Sequence, residues 1–266
     1  TNDIVCIAPE GQQIFNSSNA VKGNFDGQGH TITIGLSDMS VTRCVGFIPD
    51  HIGNFENVIL HGTIKTKADH VGSISGHGSQ KFVRNVFSDV TINTEKTGDN
   101  TSGGLFGIAY EVKSVDNCIY AGSVNGVEGT TCIAGFCGWA SGATTYNNCA
   151  FLGTLNNAGG DSHTISRNNG QITCNNVYSL NEYNNSDAGK YIKTNTEDIA
   201  SGKLAFLLNG SQTGVERFYQ VIGTDPEPMP IAKEGGIVYA VAANYTCDGT
   251  PVGDEITYSN TASGTF

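Results

Sequence analysis

An asparagine followed by a small apolar residue and a short strand-like run returns along this chain at almost constant intervals. The steps are Asn57-Val58, Asn85-Val86, Asn117-Cys118, Asn148-Cys149 and Asn176-Val177, spaced 28, 32, 31 and 28 residues apart. A second anchor precedes each of the first four: Gly46-Phe47-Ile48, Ser73-Ile74-Ser75-Gly76, Gly104-Leu105-Phe106-Gly107 and Gly135-Phe136-Cys137-Gly138. A third follows them, at Gly62-Thr63-Ile64, Val90-Thr91-Ile92, Gly122-Ser123-Val124 and Gly153-Thr154-Leu155. Three short apolar segments per repeat, with no amphipathic helix between them, are too few for a four-stranded propeller blade of ~40–45 residues. They also lack the signature of a leucine-rich repeat of ~20–29 residues. One repeat fits one coil of a three-sided solenoid, whose rungs stack at ~4.8 Å so that equivalent residues form ladders. The chain is therefore expected to be all-β, a right-handed parallel β-helix closed by a short C-terminal capping helix.

The composition agrees with that expectation. Only 15% of residues are charged, and the 35 glycines with many asparagines suit strands joined by tight left-handed bends. In the stack, the asparagines are expected at one corner, each bonding its neighbour. The Val58, Val86, Cys118, Cys149, Val177 column should face inward, with Cys118 and Cys149 on adjacent rungs as reduced thiols. The opening Gly23-Asn24-Phe25-Asp26-Gly27 reads as a turn into the first coil, with Asp26 as a turn residue rather than a catalytic carboxylate.

The repeat pattern divides the chain into coils over 1–193, a cap with an extended segment over 194–233, and the start of a further β module or linker over 234–266. Thr194-x-x-Glu197 has the form of a capping box, and Ile199, Leu204, Leu207 and Leu208 follow at helical spacing. That predicts one helix over about 195–208, lying across the open end of the stack. Residues 237–247 and 255–260 alternate like two strands around Cys247-Asp248-Gly249. The chain begins at Thr1 and reads as a piece of a longer protein.

Several function classes fall away. A net charge of −11 disfavours a phosphate backbone, so nucleic acid is not an expected partner. No apolar run approaches the ~20 residues of a membrane-spanning helix. None of the eight cysteines forms a Cys-x-x-Cys pair, and the spacing of Cys132 and Cys137 is wrong for a zinc knuckle. No metal and no cofactor are expected.

The repeats resemble the GLUG-motif repeats of large bacterial surface proteins. Gly103-Gly104-Leu105-Phe106-Gly107 with Asn117-Cys118 matches best, and Ala134-Gly135-Phe136-Cys137-Gly138 with Asn148-Cys149 is looser. The opening Phe25 to Ile32 and the tail Ala200 to Asp225 are similar to segments that flank such repeats in Bacteroidetes surface proteins. The resemblance implies this architecture and an extracellular or cell-surface location. It carries no catalytic residues.

Stacking the second anchors predicts a ladder of Asp50, His77, Ile108 and Trp139, with Asp50 and His77 one rung apart at a turn. A carboxylate one rung from an imidazole is a candidate for acid–base chemistry, which makes Asp50 and His77 the catalytic candidates of a polysaccharide-degrading enzyme, a hydrolase or a lyase. His51, Asp69 and His70 lie on nearby turns; the bland reading of the group is a hydrated turn surface, and the sharper one is a metal held by His51, His70, His77 and Asp50. Trp139, the only tryptophan, sits in Gly138-Trp139-Ala140-Ser141-Gly142, with Tyr110 in the matching turn one coil earlier and Tyr146 close by. Exposed rings offer flat apolar faces to sugars, so Trp139, Tyr110 and Tyr146 are the ligand-binding candidates of an adhesin-like module that takes glycan or an extracellular protein. A passive stalk is the third reading.

Overall fold

The computed structural model describes residues 3–15, 19–38, 43–183, 187–211 and 217–230, and the backbone of the strands Tyr239–Tyr245 and Pro251–Asn260. Cys247 lies outside the described residues. Six strands stack side by side, all parallel: Phe25–Asp38, Phe55–Thr66, Phe82–Ser88, Ser114–Tyr120, Thr144–Phe151 and Ile172–Ser179. A second parallel sheet runs through Val21–Lys22, Asp50–Ile52, Ser75–Ser79, Phe106–Ala109 and Cys137–Ala140. A third joins Gly98–Gly103 to Thr130–Ala134. The first sheet also turns a corner, where Thr63–Thr66 is followed by the rungs Thr91–Thr94, Ser123–Asn125 and Thr154–Asn156. Gly62 makes that corner at φ +117°, and a Cβ there would run into the carbonyl oxygen of Ile34.

Alternation sorts the side chains. Val58, Val86, Cys118, Cys149 and Val177 face inward and are buried, as are Phe47, Ile74, Leu105 and Phe136 from the bends that lead into the second sheet. The seven described cysteines are free, and burial pushes the Cys149 thiol well above its ordinary pKa. Cys118 and Cys149 therefore serve as small core hydrophobes.

The asparagine corner is a continuous hydrogen-bonded column. Asn57, Asn85, Asn117, Asn148 and Asn176 all adopt left-handed φ between +51° and +57°. Each side-chain amide donates to the Oδ1 of the asparagine one rung back, at 2.9, 3.0, 3.2 and 3.0 Å. The column starts on Asp26, which accepts from Asn57 at 3.0 Å and from the Gln28 N–H at 2.9 Å. Asp26 is thus a turn residue and the anchor of the ladder. Two shorter ladders escaped the sequence reading: Asn93, Asn125 and Asn156, and Asp116, Asn147 and Asn175. Their spacings near thirty residues were the available signal.

The tail differs from expectation in three respects. The predicted helix is two short ones, α1 (Thr196–Ala200) and α2 (Lys203–Leu208), broken at Gly202, whose φ is +80°. The N-cap is Asn195, which accepts from the Asp198 N–H at 2.8 Å, while the Thr194 hydroxyl is buried without a partner among the described contacts. The apolar faces also pack sideways rather than only over the end. Ile199, Leu204 and Leu208 join Phe218 in a cluster with Ile59, Phe87, Ile119, Ala150 and Tyr178, the outward column of the first sheet; Leu207 is only partly buried. The asparagine column ends on α2, where Asn176 donates to Leu207 O at 2.9 Å. Tyr239–Tyr245 and Pro251–Asn260 form an antiparallel pair.

Candidate functional site

The outward side of the second sheet carries the predicted ladder in register: Asp50 pairs with His77, His77 with Ile108, and Ile108 with Trp139. Two residues on, Ile52 and Ser79 form the next outward pair, and Tyr110 follows Ser79 one rung up, its N–H donating to Gly78 O at 2.8 Å. Ile52, Tyr110 and Trp139 are 40%, 43% and 37% exposed, and they share this one side. Ile52 also lines a groove of about 410 Å³, together with Asn24, Ser79, Lys81, Glu111 and Lys113.

The Trp139 ring has a partner on one face. The Arg167 guanidinium lies 5.0 Å from its centroid and is itself held by Asp161 at 2.8 Å and Asp99 at 3.3 Å. Burial works against the Asp99 charge, but the Thr101 hydroxyl and the Arg167 guanidinium bring its carboxyl below the ordinary range. His163 bridges Asp187 at 3.0 Å and Asp161 at 3.2 Å, and the hydrogen bond it donates to the Asp187 carboxylate holds its pKa above the ordinary value. Arg167 and this charged network were missed in the sequence, because their partners lie up to 68 residues apart.

At the other end of the ladder stand the histidines. His77 Nε2 is 2.7 Å from His70 Nδ1, so its partner is His70 rather than Asp50. Burial lowers both imidazoles, His70 to about 4, and keeps them neutral at pH 7. Tyr110 meets His77 edge-on, with centroids 5.2 Å apart. His51 does not join them. It is buried, with Nε2 on Gly23 O at 2.9 Å and Nδ1 beside the Gln80 amide at 3.2 Å. Its strand, Asp50–Ile52, alternates, so when Asp50 faces out His51 must face in.

Tyr146 is a correction. The sequence reading placed it with Trp139 on a binding surface, but it is fully buried and stacks on Phe136 with centroids 5.3 Å apart. The strand Thr144–Phe151 begins two residues before it, and its register with Val115 and Val83 sets it in the inward column.

The stacked parallel rungs define a β-solenoid. Comparisons with known protein families and with curated proteins find no match. Among solved structures, the chain is similar to a protein of Bacteroides ovatus titled "a putative immunoglobulin A1 protease", at 16% identity and a TM-score of 0.61, over 85% of this chain and 73% of that one. At that identity the likeness is one of fold. Among the described residues, no helix is long and apolar enough to cross a membrane.

Proposed function

We propose that this chain is a secreted or cell-surface module of a larger bacterial surface protein, of the GLUG-repeat kind, and that it binds glycan or another extracellular partner through the outward side of the second sheet. The observation that carries the reading is the grouping of Ile52, Tyr110 and Trp139, all exposed, beside a polar groove on one face of a rigid stack. Flat rings with adjacent amide and carboxylate groups are what a sugar or a peptide surface requires. The enzymatic reading has less support, because His77 Nε2 is engaged by His70 rather than by Asp50.

A glycan array probed with the wild-type chain supplies the ligand, and variants then locate the site. Trp139→Ala is expected to weaken binding by ~1–3 kcal/mol, by analogy with aromatic–base stacking, with at most about 1 kcal/mol lost in stability from the Arg167 contact. Tyr146→Phe is expected to leave binding unchanged and stability equal or improved, because its buried hydroxyl has no partner. Turnover of a glycan or peptide that disappears in Asp50→Asn would overturn the binding reading in favour of an enzyme.

A further inference from the structure

Composition and spacing predict no metal, yet three chemically apt side chains from two adjacent coils converge at one corner of the open face. Val45 pairs with Val71, which sets the preceding residues, Cys44 and His70, on adjacent rungs. Gly76, next to His77, packs directly on the Cys44 backbone; a Cβ there would collide with the Cys44 Cα. Cys44 itself holds an unusual left-handed φ of +56° for a side chain without a bonding amide. As a result one ligand-capable atom from each of Cys44, His70 and His77 lies within 4.8 Å of the others.

We propose that Cys44, His70 and His77 form a binding site for a zinc-class transition-metal ion, with the Cys44 thiolate and one nitrogen of each imidazole as ligands. The donor set is that of zinc rather than of calcium or magnesium, which take oxygen. The geometry is close to what the ion needs. Zn–N bonds of ~2.0–2.1 Å at a tetrahedral angle place two nitrogens ~3.3 Å apart, and the His70 and His77 nitrogens stand at 2.7 Å with a hydrogen between them. On metal binding that hydrogen moves to the other nitrogen of its own ring, so both imidazoles stay neutral, and one proton leaves the thiol for solvent. The sulfur closes from within 4.8 Å to the ~3.5 Å that a tetrahedral S–Zn–N pair requires. Arg43 acts on this corner as a positive charge and Asp50 and Asp69 as negative ones, so the surrounding charges partly cancel. Three protein ligands leave one tetrahedral position for water or for a donor atom of whatever binds the face.

The test is a titration of the tag-free, chelator-treated, reduced chain with Co²⁺ and then Zn²⁺. One equivalent should bind, with a thiolate-to-cobalt charge-transfer band that Zn²⁺ abolishes. Cys44→Ser should remove the band and Cys132→Ser should keep it, while His70→Ala and His77→Ala should each weaken binding at least tenfold, a loss no smaller than that seen when groups behind metal ligands are removed. X-ray absorption on the zinc-loaded wild type requires no variant to fold, and should show one sulfur at ~2.3 Å with nitrogen at ~2.0 Å. No stoichiometric binding, a first shell without sulfur, or a band that survives in folded Cys44→Ser would each overturn the site. The proposal does not depend on glycan recognition, and either can fail alone.

Discussion

The solenoid has two outward columns of the same kind, and the chain treats them in opposite ways. On the first sheet, Ile59, Phe87, Ile119, Ala150 and Tyr178 are uniformly apolar, and the chain's own tail covers them with Ile199, Leu204, Leu208 and Phe218. On the second sheet, Asp50, His77, Ile108 and Trp139 share no chemistry, and this column borders the exposed side chains of Ile52 and Tyr110. Where a ladder repeats one residue type it builds the scaffold. Where successive rungs differ, the ladder does nothing for the stack as a ladder, and its side chains are free to serve chemistry. The covered column completes the scaffold; the open one is where the proposed partner and the proposed ion would meet it.

The difference is sharpest under substitution. Leu204 is fully buried between α2 and the apolar column, so Leu204→Asp should cost roughly 3 kcal/mol or more by burying an unpaired charge. Thermal melting measures this, and a melting temperature equal to wild type would mean that the tail does not cover that face. Leu207→Asp should cost less, since that side chain is only partly buried.

A smaller effect is expected at the asparagine corner. Asn117→Ala loses both ladder bonds, at 3.0 and 3.2 Å, and forces alanine into a left-handed bend at φ +54°. Together these should cost about 2–3 kcal/mol. Asn117→Gly removes only the ladder share, so the difference between the two variants in chemical denaturation separates backbone strain from the amide column. Equal losses would show that the column contributes through its bonds alone.

The smallest effect is in pH dependence, and it belongs to the buried charged network behind Arg167. His163 is raised above its unfolded value of ~6.5 by Asp187 and Asp161. A raised histidine contributes stability that is complete below the unfolded pKa and is lost as pH rises through the folded one. The wild type should therefore lose stability relative to His163→Gln as pH climbs from about 6.5 upward. Parallel melting curves for the two proteins at every pH would remove the Asp161–His163–Asp187 network from the account.

Much of the scaffold was legible in the residues. The near-constant interval of Asn57 to Asn176 fixed which side chains would stack, and strand alternation told Val58 from Ile59. The same interval put Asp50, His77, Ile108 and Trp139 on one ladder. Nearness in sequence groups Tyr146 with Trp139 but carries no side-chain direction; its place on the strand Thr144–Phe151 turns the ring into the core. Gly202 was read as part of one helix, although its left-handed φ ends α1 and restarts α2.

By itself, then, the sequence determined what a constant interval can encode: the parallel stack, the asparagine corner, and the inward and outward columns. Tertiary structure alone decided what depends on segments of unequal length meeting in space. It placed the tail along the first sheet, set Arg167 over Trp139, and brought Cys44 to His70 and His77. The physical reason is that a repeat transmits position only while its length and parity hold. Cys44 and His70 sit in irregular segments and His77 on the strand Ser75–Ser79, and only the closed path of the backbone around the core determines that their side chains converge.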